Sequence, residues 1–211
     1  MPSLILRRAI KAISAGLQRE LKTLPDSFCG SFQYTTIGKN LTHPIILGAL
    51  CHCLRQLPSV RHVGVDVRLN RVGTGVKFQP DVVAYSDDAL ERPLLLIDYE
   101  SPNSSDLRVI EKDLLAYQRW RGDDQTAPPY IVVTTLPAVA VPSWELRWTY
   151  KEGYNAGLQG MRADVSRNPL NFWTAQWLKH IRAEMLEHVT LMNIDRQSVS
   201  ILALDAKKAL P

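Results

Sequence analysis

The hydrophobic positions of the chain follow two periods. Leu6, Ile10, Ile13, Leu17 and Leu21 recur every three or four residues through SLILRRAIKAISAGLQRELKTL, the stripe of an amphipathic helix. A Gly, Ser and Thr-rich passage around Phe28 to Asn40 reads as a loop or short hairpin. Ile46, Leu50, Cys53 and Leu57 then restore the helical spacing from His43 to Leu57, and Pro58, which has no N–H to continue the ladder, ends it. From Val63 the period changes to two. Val63, Val65, Val67 and Leu69 alternate with Gly64, Asp66, Arg68 and Asn70, which predicts a strand with one buried and one wet face. A glycine-rich turn over Asn70 to Gly75 leads into Val76, Phe78 and the run Val82 to Tyr85, so a hairpin is expected here.

Leu94 to Ile97 is an unbroken apolar run of strand length after Pro93, and loss of alternation implies burial on both faces, as in a central strand. Asp98, Tyr99 and Glu100 continue it. Ser101 to Ser105 supply turn and N-cap chemistry ahead of Leu107, Ile110, Leu114 and Tyr117, one face of a further helix, and Tyr130 to Thr135 read as another strand. Beyond Trp144 the pattern suggests a strand at Leu146 to Tyr150 and a helix from Asn171 to His188.

Composition narrows the setting. With 211 residues, 45% of them hydrophobic and 22% charged, the chain can bury the core of a single α/β domain. Its apolar runs are far shorter than the roughly 18 to 20 residues needed to cross a bilayer, so no membrane span is expected, and the first helix is read as laid on the domain core, with a partner-binding or membrane-surface helix as the alternative. The first helix places apolar residues before its arginines, the wrong order for a signal peptide. Cys29, Cys51 and Cys53 are too few and odd in number for a disulfide framework, which suits a reducing compartment and leads to an expectation of cytoplasmic location. Cys51-His52-Cys53 lies within a helical pattern, where residues two apart point in different directions, so a zinc site is not expected. The net charge of +4 is compatible with a polyanionic partner without requiring one.

Chemistry concentrates between residues 79 and 112. Asp81 follows Pro80, and Asp98 ends the apolar strand. Acids on neighbouring strands can converge on one point, and Mg²⁺ is typically held by one or two carboxylates with water and substrate phosphate. Glu100 stands two residues beyond Asp98 and shares its strand face. Gly73-Thr74-Gly75 lacks the length and following helix of a phosphate loop, and there is no Gly-x-Ser-x-Gly elbow. Trp144, Trp148, Phe172, Trp173 and Trp177, interleaved with basic residues, suit either base stacking or an ordinary core.

The order Pro80-Asp81, spacer, hydrophobic run, Asp98 resembles the PD-(D/E)XK signature of restriction-endonuclease-like phosphodiesterases. The longer stretch from Gln79-Pro80-Asp81-Val82-Val83 through Asp98-Tyr99-Glu100-Ser101-Pro102 to Glu111-Lys112 is similar to the Uma-type restriction endonuclease family, over about residues 40 to 135. This resemblance implies a restriction-endonuclease-like αβββαβ core with a central mixed sheet flanked by helices. It divides the single domain 1–211 into an N-terminal helix and loop (1–40), a nuclease-like core (41–136) and a C-terminal helical extension (137–211). It further implies a DNA endonuclease that hydrolyses phosphodiester bonds by metal-activated water, with Asp81 and Asp98 as ligands of Mg²⁺ or Mn²⁺. Glu100, standing where the family usually has lysine, or Lys112 in the following helix would be the auxiliary catalytic group, and His43 matches a histidine at the start of the first core helix. Cutting both strands of a duplex would favour a homodimer. The alternative expectation is a non-catalytic nucleic-acid-binding or protein-interaction module on the same fold.

Overall fold

The computed structural model describes residues 4–24, 36–71, 73–100, 109–135, 188–194 and 199–203. Helix α1 (Leu4–Thr23) buries Leu6, Ala9, Ile13, Leu17 and Leu21, the expected stripe except that Ala9 is buried and Ile10 only partly so. It lies on α2 (Thr36–Arg55), which begins seven residues before the expected start at His43. The helices meet closely at Gly16: a Cβ added there would stand 2.0 Å from Cys53 Sγ, so only glycine leaves room for the thiol. Cys51 and Cys53 are both buried and unoxidised. Burial raises both thiol pKa values and so keeps them protonated.

The strands are β1 (His62–Val65), β2 (Leu69–Asn70), β3 (Lys77–Phe78), β4 (Val82–Tyr85), β5 (Pro93–Glu100), β6 (Tyr130–Thr134), β7 (Val189–Ile194) and β8 (Val199–Ala203). Six of them form one mixed sheet in the order β1-β4-β5-β6-β7-β8, and β2 and β3 form a separate pair. β1, β4 and β5 are antiparallel neighbours, whereas β5, β6 and β7 run parallel. Helix α3 (Val109–Arg121) lies between β5 and β6 in the chain, the crossover that a parallel pair requires. Between α2 and α3 the chain runs through five strands, of which β1, β4 and β5 join the main sheet, and the fold is mixed α/β as read from the sequence. β5 is central, with Leu95 to Tyr99 all buried, as the unbroken apolar run predicts.

Two expectations are corrected. The alternating run Val63 to Leu69 is not one strand. Asp66 adopts φ 54°, a left-handed conformation that breaks extended pairing, so the long hairpin splits into β1–β4 in the main sheet and β2–β3 outside it. The C-terminal segment, expected to be a helical extension, supplies β7 and β8, and the sheet therefore continues beyond residue 136. All six residues of Val189–Ile194 are buried, so this strand lacks the alternation that would have announced it. The expected strand at Leu146 to Tyr150, the helix from Asn171 to His188, the turn at Ser101 to Ser105, Cys29 and the aromatic-rich stretch from Trp144 to Trp177 lie outside the described residues.

The sheet has two unlike faces. α1 and α2 cover one of them, packing onto Val82, Ala84, Leu95, Ile97, Tyr99, Ile131, Val133, Met192 and Ile194 in a continuous apolar core. Leu114 and Tyr117 of α3 are buried on the opposite side, where Tyr117 stacks on Tyr130 at 4.7 Å and Phe78 of β3 meets Tyr130 edge-on at 5.5 Å. No helix among the described residues is long and apolar enough to cross a membrane.

Candidate functional site

The β4–β5 register pairs Val82 with Ile97, so the next residues outward, Asp81 and Asp98, stand opposite each other. Each carboxylate accepts a backbone N–H from the other strand: Asp81 N donates to Asp98 Oδ1 at 2.7 Å, and Tyr99 N donates to Asp81 Oδ2 at 2.7 Å. These reciprocal bonds replace ladder bonds where the strands begin to part, and they fix both carboxylates. The Tyr130 hydroxyl donates to Asp98 Oδ2. Its ring is fully buried between Tyr117 and Phe78, so the donor has little freedom to move away. On the α2 side, His43 Nε2 lies 3.5 Å from Asp81 Oδ2, and the imidazole rests against the Tyr99 ring at 5.6 Å between centroids. Tyr99 is anchored in turn by a 2.8 Å hydrogen bond between its hydroxyl and Thr135 Oγ1.

The electrostatics follow from burying acids together. Asp98 is only 6% exposed, and desolvation, followed by the charge of Asp81, pushes its pKa up to about 7 against the opposing pull of the Tyr130 hydroxyl bond. Glu100 is shifted further upward, first by burial and then by a hydrogen bond to Asp113 and the neighbouring negative charges. The Asp81 hydrogen bond raises His43, outweighing desolvation, with added attraction from Asp81, Asp66 and Asp98. Among the described residues neither Asp98 nor Glu100 is paired with a lysine or arginine.

Three of the four sequence-selected catalytic residues, Asp81, Asp98 and Glu100, come together with His43 at this end of the sheet. The backbone of Lys112 lies in α3, next to Asp113, while its side chain falls outside the described residues. Sequence reading missed Tyr130 and Asp113. Asp113 carried a signal, since it falls between Ile110 and Leu114 and four residues before Tyr117, within the stripe that faces the sheet. Tyr130 carried none beyond its place at the start of an apolar strand.

A divalent cation is implied by the resemblance, and the donor set fits one. The clustered acids offer hard oxygens, and the repulsion from Asp81 that adds to desolvation in raising Asp98 is the kind a dication relieves. Asp81 and Asp98 are the two carboxylates that would hold it. Among the described residues no three acidic, histidine or cysteine side chains surround a common point, so water and substrate would have to complete such a shell. No family model, curated protein or solved structure matches this chain.

Proposed function

We propose that the chain is a metal-dependent DNA endonuclease on a restriction-endonuclease-like fold, hydrolysing phosphodiester bonds with Mg²⁺ or Mn²⁺. The supporting observation is the opposed pair Asp81 and Asp98 at the end of two central strands, with Glu100 and Asp113 adding negative charge beside it. The site also lies at the C-terminal ends of the parallel strands, where open α/β sheets bind their ligands. When bound, the ion supplies a nucleophilic water of lowered pKa and polarises the scissile phosphate.

The chain's own residues have separable tasks in this reading. Asp81 and Asp98 hold the ion, oriented by the N–H of Tyr99 and by the N–H of Asp81 together with the Tyr130 hydroxyl. His43, whose protonated form is favoured by Asp81, holds Nε2 beside the site, where it can present a proton to a phosphate oxygen or leaving oxygen. Glu100, whose ionisation is opposed by burial and by the neighbouring Asp113, or Lys112 serves as the auxiliary group. Duplex cleavage by this site would favour a homodimer in a cytoplasmic setting.

A second reading is favoured by the reciprocal backbone bonds. Carboxylates that each cap an opposing N–H can serve as a staple between β4 and β5, and a chain in which they do only that would be a non-catalytic nucleic-acid-binding or protein-interaction module. The discriminating experiment incubates supercoiled and single-stranded DNA with the protein in Mg²⁺ or Mn²⁺, alongside Asp81→Asn and Asp98→Asn variants. The endonuclease reading expects metal-dependent cutting that each variant loses by at least ~100-fold, comparable with the loss of a principal catalytic electrostatic contact. No cutting by the unmodified chain across varied sequences would leave the binding module.

A further inference from the structure

The β2–β3 hairpin is the least explained part of the architecture. It pairs with no strand of the main sheet, yet its root is tied to the acidic site: Asp66 N donates to the Asp81 carbonyl at 3.0 Å, and Gln79 Nε2 donates to the Asp66 carbonyl at 3.4 Å. Its two faces differ sharply. Phe78 is buried and touches the rings of Tyr117, Trp120 and Tyr130, so the face it shares with its partner Leu69 is pressed on α3 and β6. Asn70 and Lys77, the next pair, alternate to the opposite face and are both exposed. At the root, exposed Arg68 and Gln79 extend that outward face. The hairpin therefore presents two cations and two amides, with no acid among them.

Gln79 braces the root through the Asp66 carbonyl, whereas Arg68 and Lys77 are poorly suited to structural work. Neither Arg68 nor Lys77 has a carboxylate partner within ion-pair distance among the described residues, so their charges remain available. Asp66, the acid at the root, is felt electrostatically by His43, which places its charge with the Asp81 cluster. At roughly 3.3 Å per residue, the four steps from Lys77 to Asp81 span at most about 13 Å, comparable with about four base-pair steps of 3.4 Å. A two-stranded ribbon is also one of the few protein elements that enters the major groove of B-form DNA.

We propose that the β2–β3 hairpin is a DNA-binding arm whose outward face, Arg68, Asn70, Lys77 and Gln79, enters the groove of duplex DNA and grips its phosphates beside the acidic site. Arg68 and Lys77 neutralise phosphates, and the Asn70 and Gln79 amides are placed to hydrogen-bond base edges or backbone oxygens. This assignment deepens the endonuclease reading by naming how the duplex is held, but its test does not depend on cleavage.

The test is equilibrium binding of the full chain to a fluorescein-labelled DNA duplex, followed by anisotropy in excess chelator across a salt series. Both arm residues are exposed, so an Arg68→Ala, Lys77→Ala variant should keep the unmodified chain's circular dichroism and melting temperature. The expected result is an affinity at least ~10-fold weaker, and a slope of log affinity against log salt shallower by about 1.8, the contribution of two phosphate contacts. A companion variant, Arg7→Ala, Lys11→Ala, removes two exposed charges from α1, which packs on the opposite face of the sheet, and should bind as the unmodified chain does. Unchanged affinity and slope in the arm variant would overturn the proposal, as would an equal loss in the α1 variant. Equal binding to an RNA duplex, whose narrow major groove excludes a ribbon, would also overturn it. Arm-dependent binding without any cleavage in Mg²⁺ would retire the enzyme reading while leaving the arm in place.

Discussion

The two faces of the central sheet are built under opposite rules. Beneath α1 and α2 the contacts are hydrocarbon, and Ile13, Leu17, Ile46, Leu50 and Leu54 are all fully buried. On the α3 side, Asp98, Glu100, Asp113 and the Tyr130 hydroxyl share a region that excludes much of the solvent, and Thr134 Oγ1 donates to Asn193 Oδ1 at 2.8 Å nearby. The first face stabilises the fold by removing apolar area from water. The second holds ionisable groups that would be better solvated elsewhere, and such placement is a mark of a site. The difference teaches where substitution should damage the fold and where it should relieve it.

The largest effects on stability belong to the helical face. Leu50→Ala should lower unfolding free energy by roughly 2–5 kcal/mol, the range for emptying a buried leucine position, as read by chemical denaturation. Gly16→Ala should cost about 1–3 kcal/mol through overpacking against Cys53, and a second change, Cys53→Ala, should recover part of that loss by making room. Additive losses in this pair would show that the close helix approach is not what requires glycine.

At Asp98 the sign should reverse. An asparagine there can still accept the Asp81 N–H through Oδ1 while donating to the Tyr130 oxygen through Nδ2, and it carries no charge to desolvate. Because the folded-state pKa of Asp98 is raised to about 7, its protonation favours the folded chain: that contribution is fully present below the ordinary carboxylate range near pH 4 and is lost as pH rises through about 7. His43, also raised, loses its contribution in the same direction at higher pH. Melting temperature should therefore fall between pH 4 and 8, and Asp98→Asn should flatten the fall and melt higher than the unmodified chain at pH 8. With each pKa unit equivalent to about 1.4 kcal/mol, the gain should be on the order of 1–3 kcal/mol. An Asp98→Asn variant that melts lower at pH 8 would mean that the carboxylate is stabilising, as the staple reading holds.

Much of this contrast was legible in the sequence, and the failures have physical causes. The α1 stripe and the apolar run Leu94 to Ile97 were readable because burial on one face or on two leaves a periodic trace or an unbroken one. Asp98 stood out as an acid at the end of a hydrophobic strand, and Asp81 as the acid of a Pro-Asp dipeptide just ahead of it in the same signature. The break at Asp66 was hidden because a single left-handed residue does not disturb the alternation of its neighbours. β7 was hidden because a strand buried along its whole length has no period, and because β6, its parallel partner, ends at Thr134, far back along the chain from Val189. Tyr130 could not be seen as a site residue because its link to Asp98 exists only through the β5–β6 pairing.

Smaller effects should sharpen the assignment of supporting roles. Tyr130→Phe keeps the ring between Tyr117 and Phe78 but removes the donor to Asp98, and should cost roughly 1.5–3 kcal/mol at pH 8, the range for a hydrogen bond to a charged group. The loss should shrink at pH 5, where Asp98 is protonated. His43→Ala should change stability by less than about 1 kcal/mol, since its pairing with Asp81 is only half-buried, while lowering any metal-dependent cleavage at least ~10-fold.

The central claim is that Asp81 and Asp98 together hold a divalent cation, and Mn²⁺ tests it most directly. Titrating the protein into a fixed Mn²⁺ concentration at pH 8 and following the free-ion electron paramagnetic resonance signal should show saturable loss of that signal with the unmodified chain and none with the Asp81→Asn, Asp98→Asn variant. Equal loss of signal in both proteins, or no loss in either, would contradict the metal site and leave the paired carboxylates as a staple between two strands.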